Sequence, residues 1–186
     1  MADGTLKVGT IITSSGSGTI TLGQSGETVS VPSGATLDMS SGTMTLNSSM
    51  KMTPAFSAKK SDENQSIANN TAVKCAFDTV VFDTDSCYDT SNYRWTPNVA
   101  GKYCLVTNVR CRQTADFNDL NVAFYKNGSG FNKFQNNSSH HNESMLVVAV
   151  VEANGTDYFE VFMSQTSGNT DTANIWEFSG YKIIGA

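Results

Sequence analysis

Two adjacent histidines, four cysteines and a cluster of aspartates are the residues of this 186-residue chain best suited to chemistry. His140 and His141 stand in the polar run Asn136-Asn137-Ser138-Ser139-His140-His141-Asn142-Glu143. Neighbouring side chains on a strand point to opposite faces, so a joint metal site would need a bent loop. A histidine-driven nucleophile would need a reactive serine and a placed aspartate, and no motif supplies them. The pair reads as a solvated loop. Asp78, Asp83, Asp85 and Asp89 could offer oxygen ligands to calcium, but they lack the spacing and turn of an EF-hand. Cys75, Cys87, Cys104 and Cys111 contain no CxxC pair, which argues against zinc. Buried thiols are the expectation for them, rather than a disulfide framework. Gly128-Ser129-Gly130 lacks the lysine and the strand-to-helix setting of a phosphate loop. The expectation is a protein without catalytic residues, cofactor or metal.

Binding surfaces are the better candidates. Phe117, Asn118 and Asp119, then Phe131, Lys133 and Phe134, place aromatics among polar residues in expected loops, with His140 and His141 nearby in sequence. Exposed aromatics beside amides suit contact with sugar or protein. The alternative is that these phenylalanines tuck beneath their loops. Charged residues make up only 16% of the chain and the net charge is -5, which disfavours nucleic acid as a partner. The longest apolar run, Met145 to Val151, is too short to span a bilayer. The first residues lack the basic and apolar segments of a signal peptide, so synthesis in a cytoplasm is expected.

The elements that must carry these residues fall into two regions. Residues 1–52 are a string of short units in which a small polar residue alternates with an aliphatic one. Thr19-Ile20-Thr21-Leu22, Thr28-Val29-Ser30-Val31, Ala35-Thr36-Leu37 and Thr43-Met44-Thr45-Leu46 recur about every eight residues between Gly/Ser turns. No aromatic precedes Phe56. So little apolar surface cannot fold alone. The expectation is a repetitive β-stem that orders through self-association of Ile20, Leu22, Val29, Val31, Leu37, Met44 and Leu46.

From residue 53 onward strands are expected at Ala55–Ala58, Ala72–Phe77, Tyr93–Trp95, Lys102–Arg112, Asn121–Tyr125, Ser144–Val151, Tyr158–Ser164 and Ile175–Ile184. Turn chemistry such as Lys126-Asn127-Gly128 and Asn154-Gly155 separates them. Strands without helical periodicity indicate an all-β antiparallel sandwich or jelly roll. Tyr158 to Met163 and Met145 to Val151 are apolar on both faces. A sheet with one wet face should alternate, so a second subunit is expected against the outer face.

The spacing Phe77-x5-Asp83-x4-Tyr88-x6-Trp95-x5-Gly101-x-Tyr103-x-Leu105-x-Thr107 resembles the signature of the complement component 1q globular head. That head shares its jelly roll with the tumour necrosis factor family. Leu105 and Thr107 depart from the signature's aromatic residues. Phe178-Ser179-Gly180-Tyr181-Lys182-Ile183-Ile184 looks like the family's closing strand. The resemblance covers residues 54–186 and implies a homotrimer, with Tyr103, Phe159, Val161, Met163, Phe178 and Tyr181 in its core or between its subunits. The first residues, Met1 to Val8, and the repeats after them resemble amino-terminal segments of structural proteins from tailed bacteriophages. Together these imply a trimeric virion appendage, anchored to other virion proteins through residues 1–52, whose head meets a host-surface glycan or protein. A capsid decoration protein is the alternative.

Overall fold

The computed structural model describes residues 8–14, 16, 18–47, 50–62, 64–112, 119–136 and 142–184. The chain divides into two compact units, Met1–Thr45 and Leu46–Ala186.

In the first unit, turns fall at the Gly/Ser and Pro positions. The amides of Glu27, Ala35 and Gly42 donate to the carbonyls of Gln24, Pro32 and Met39 at 3.0, 3.0 and 3.1 Å. The alternating segments between these turns are not strands in the single chain. A strand needs a partner to take its backbone groups, and no neighbouring segment is paired with them here. Ile20, Leu22, Val29, Val31, Leu37 and Met44 all stand exposed. Leu46, the first residue of the second unit, is half-buried.

The second unit is all-β, with no α-helix among the described residues. In chain order its strands are β1 (Ala55–Lys59), β2 (Asn64–Ile67), β3 (Val73–Lys74), β4 (Thr79–Asp83), β5 (Tyr88–Asp89), β6 (Arg94–Trp95), β7 (Ala100–Arg112), β8 (Leu120–Lys126), β9 (Ser129–Asn136), β10 (Asn142–Asn154), β11 (Phe159–Gln165) and β12 (Asp171–Lys182). One sheet runs β10-β7-β12-β1-β4, with β2 also on β12; the other runs β5-β6-β11-β8-β9, with β3 also on β11. All pairings between these strands are antiparallel. The neighbours in each sheet are mostly distant in sequence, which makes this a jelly roll rather than a meander.

A strand overlaps each of the eight expected segments, with Ala72–Phe77 reduced to the two residues of β3, and β2, β4, β5 and β9 add to them. The largest correction concerns β9, whose residues 131 to 134 read as a loop. Its sequence Ser129-Gly130-Phe131-Asn132-Lys133-Phe134-Gln135-Asn136 is polar because it lies at a sheet edge. Pairing with the more apolar β8 supplies the order that its own composition does not.

Alternation fills the space between the sheets. Phe56 lies flat on Trp95 at 4.7 Å between ring centroids, and Phe178 meets Phe56 edge-on at 4.8 Å. Tyr103 meets Trp95 edge-on at 5.1 Å. Phe159, Val161 and Met163 come inward from β11. A Cβ on Gly180 would stand 2.8 Å from Leu105 Cδ2 and 3.0 Å from Phe56 Cε1, so only glycine lets β12 lie this close. The two departures from the signature still serve the core. Leu105 is fully buried, and buried Thr107 donates its hydroxyl to the Glu177 carbonyl at 2.8 Å. Asp83 accepts the Tyr88 amide at 2.7 Å, and the Tyr88 hydroxyl donates to the Phe77 carbonyl at 3.0 Å. Burial pushes the Tyr88 phenol well up and the Tyr103 phenol to about 12. Cys75 and Cys87 are buried free thiols, Cys111 is buried, and Cys104 is half-buried. Burial raises the Cys75 thiol far above its ordinary range.

One polar tie closes an end of the sandwich. Asp157 accepts from Asn127 Nδ2 at 2.7 Å, from the Asn154 amide at 3.0 Å and from Lys126 Nζ at 2.9 Å. The Asn127 amide, then the Lys126 ammonium, hold its carboxyl below the ordinary carboxylate value. A depressed folded pKa gives stability that is present above the unfolded value and is lost as pH falls through the folded one. Asp157→Asn should cost about 1–3 kcal/mol at neutral pH in urea unfolding. Its stability should then fall less than the wild type's between about pH 5 and about pH 2. Parallel curves for the two proteins would show that Asp157 is not a source of the acid sensitivity.

Candidate functional site

The outer faces of the two sheets differ in character. On the outer face of the β10 sheet, strand register aligns Val148, Val106, Ser179, Ser57 and Phe82 in one row. The next row is Val150, Cys104, Tyr181 and Ala55. These rows make a mostly apolar band, interrupted by Ser179 and Ser57. Leu146, Val148 and Val150 are 65%, 47% and 66% exposed, and Phe82 is 50% exposed. The band ends where Asn108 pairs with Glu177. A register shift between Ser57 and Ala58 adds Val81 to β4, so that Val80, Val81 and Phe82 are exposed in succession. Tyr181 lies in the band against Cys104, whose thiol holds its phenol above the ordinary value. Tyr103, Phe159, Val161, Met163 and Phe178, expected in the core or between subunits, all lie in the core.

The outer face of the other sheet carries a small groove. Its central row is Lys74, Phe162, Ala123 and Lys133, taken in turn from β3, β11, β8 and β9. Phe162 is outward on β11 and lies against Tyr125, with ring centroids 4.1 Å apart. Within the chain Tyr125 covers part of the second apolar face of β11, where Phe162 is half-buried. For β10 the outward valines remain uncovered. Lys74 pairs with Glu160 and also donates to the Asn92 carbonyl at 3.3 Å.

The expected contact residues are dispersed. Phe131 packs against Phe124 and Phe159, at 6.3 and 6.2 Å, and so tucks inward. Phe134 is exposed on the edge strand, and Lys133 is exposed on the outer face. Asp119 accepts from Gln135 Nε2 at 2.6 Å and serves as a structural tie. Phe117, Asn118, His140 and His141 lie outside the described residues. The calcium candidates are engaged in local bonds. Asp78 accepts from the Ser61 amide at 2.7 Å and Asp89 from the Ser91 amide at 2.9 Å, while Asp83 is held as above. Among the described residues no cluster of His, Cys, Asp and Glu is placed to hold a metal.

Solved structures share this architecture. Murine APRIL matches with a TM-score of 0.52 at 9% identity, over 69% of this chain and 98% of that one. Eiger TNF from S. frugiperda matches with a TM-score of 0.53 at 8% identity, over 73% and 96%. The globular domain of zebrafish complement 1qA protein aligns at 18% identity over 70% and 97%, with a TM-score of 0.48. The fold is the jelly roll seen in murine APRIL and Eiger TNF. At such identities the likeness is one of fold. No protein-family model matches the chain, and no curated protein matches it. The jelly roll accounts for the core and for Gly180, and leaves the two outer faces to be explained by what covers them.

Proposed function

We propose that this chain is a self-associating structural protein of a virion, a short fibre or appendage of a tailed bacteriophage. Three copies would join through the outer face of the β10 sheet, residues 1–52 would hold the assembly to other virion proteins, and the jelly roll would be displayed. The uncovered band of Leu146, Val148, Val150, Phe82 and Tyr181 carries this reading. An exposed band of large apolar side chains on one sheet face is the mark of a protein interface. A symmetric ring of identical copies buries it with one repeated contact. The number three comes from the resemblance of residues 54–186 to complement 1q heads. The exposed aliphatics of the first unit support self-association independently, because they have no core of their own. The phage setting rests on the resemblance of residues 1 to 8 and the repeats that follow. The role is mechanical and adhesive rather than catalytic.

Gold-labelled antibody against the jelly roll, applied to purified particles of a phage whose genome encodes this protein, tests the placement. Label at the tail or at projecting fibres fits the appendage. Label spread over the capsid surface replaces it with the decoration role, and absence from the particles overturns both.

A further inference from the structure

The groove on the outer face of the β11 sheet has the parts of a ligand site. It holds ≈ 120 Å³ and its lining includes Asn121, Ala123, Tyr125, Lys133, Phe162 and Ser164. The small side chain of Ala123 forms the floor between Phe162 and Lys133, its partners on either side. Lys133 is carried here by a bulge. Asn132 takes a left-handed conformation (φ 53°), so Phe131 turns into the core while Lys133 turns out over Ala123. Unlike Lys74, Lys133 has no carboxylate partner among the described residues. Asn121 Oδ1 is shut from solvent and also lacks a hydrogen-bond partner among them. A buried unpaired amide oxygen is disfavoured, and Asn121 is part of the groove lining.

We propose that this groove binds one carboxylate-bearing sugar ring, such as a uronic acid unit of a host-surface polysaccharide; the proposal rests on the reading of the jelly roll as a displayed adhesive head. The aromatic pair gives the apolar side of the ring a place to lie. The Asn121 amide and the Ser164 hydroxyl exchange hydrogen bonds with sugar hydroxyls, and Lys133 takes the carboxylate. The volume is well below the roughly 300–1,000 Å³ of a pocket that encloses a drug-sized ligand. It suits a single ring with one side in water. The groove lies on the sheet opposite the apolar band, so self-association leaves it open. Weak single sites, repeated in an assembly, grip a repeating polymer through avidity.

Titration of the full chain with methyl glucuronide, followed by NMR, tests this against methyl glucoside, the uncharged counterpart. Wild type should bind the glucuronide weakly, with Kd on the order of 1 mM, and the glucoside about tenfold more weakly. Lys133→Met should reduce glucuronide binding to the level of the glucoside. Ala123→Leu fills the floor without removing any contact group and should abolish both. Failure of wild type to bind either sugar, or undiminished glucuronide binding by Lys133→Met, overturns the proposal. Sedimentation of the same samples separates the two readings. An assembled protein that binds no sugar removes only the groove, whereas a monomer that binds the glucuronide supports the groove and removes the assembly.

Discussion

Val148→Glu with Val150→Glu should turn the assembled protein into monomers. Both side chains stand on the outer face of β10, 47% and 66% exposed in the single chain, and they head the two rows of the apolar band. If that band is covered by a second copy, each valine contributes up to about 1.5–3 kcal/mol on burial. A glutamate in its place also puts a carboxylate without a partner into the contact, a far larger penalty. Repeated at each symmetric contact, the change should weaken assembly by several orders of magnitude. The fold should survive, because neither valine belongs to the core. Thermal unfolding of the separated variant should still be cooperative. A variant that sediments like wild type would show that the β10 sheet is not the contact face.

Phe178→Ala should cost about 3–5 kcal/mol, because it opens a cavity among rings that cannot collapse together. Phe178 is fully buried and touches four others: Phe56 at 4.8 Å, Phe77 at 5.7 Å, Phe124 at 6.0 Å and Tyr88 at 6.3 Å between centroids. Those partners come from both sheets, so the loss falls on the contact that joins the layers. Against a total stability of roughly 5–15 kcal/mol this is a large fraction. For a domain of this size it lowers Tm by on the order of 10 °C. Phe134→Ala, on the exposed edge strand, should cost about 1 kcal/mol or less under the same conditions. Equal losses from the two would place the main core elsewhere.

The sequence showed the core better than the surface. Phe77, Trp95, Tyr103 and Phe178 are legible because a fixed spacing of large apolar residues has few other uses, and all four are fully buried. The two-faced pattern of β10 was legible for the same reason, as its outward Leu146, Val148 and Val150 have no internal role. On β11 the same pattern is met in part within the chain, because Phe162 lies against Tyr125, a residue from another strand whose register no local pattern reveals. β9 was hidden by its polarity, and Lys133 reaches the groove only through the bulge at Asn132. Asn121, Tyr125 and Phe162 form one surface through pairing between β8 and β11, a relation absent from either segment alone. The signal that was present is modest: Tyr125 and Phe162 each break the inward parity of their own strand. The alternating segments of the first unit were read as β-structure, and in the single chain they have turns without strands.

Self-association is the claim on which the rest of the account stands. Sedimentation equilibrium of the full chain at neutral pH measures it directly. The account predicts a particle of three copies of the 19.9 kDa chain. A mass that stays at one copy as the concentration is raised would contradict it.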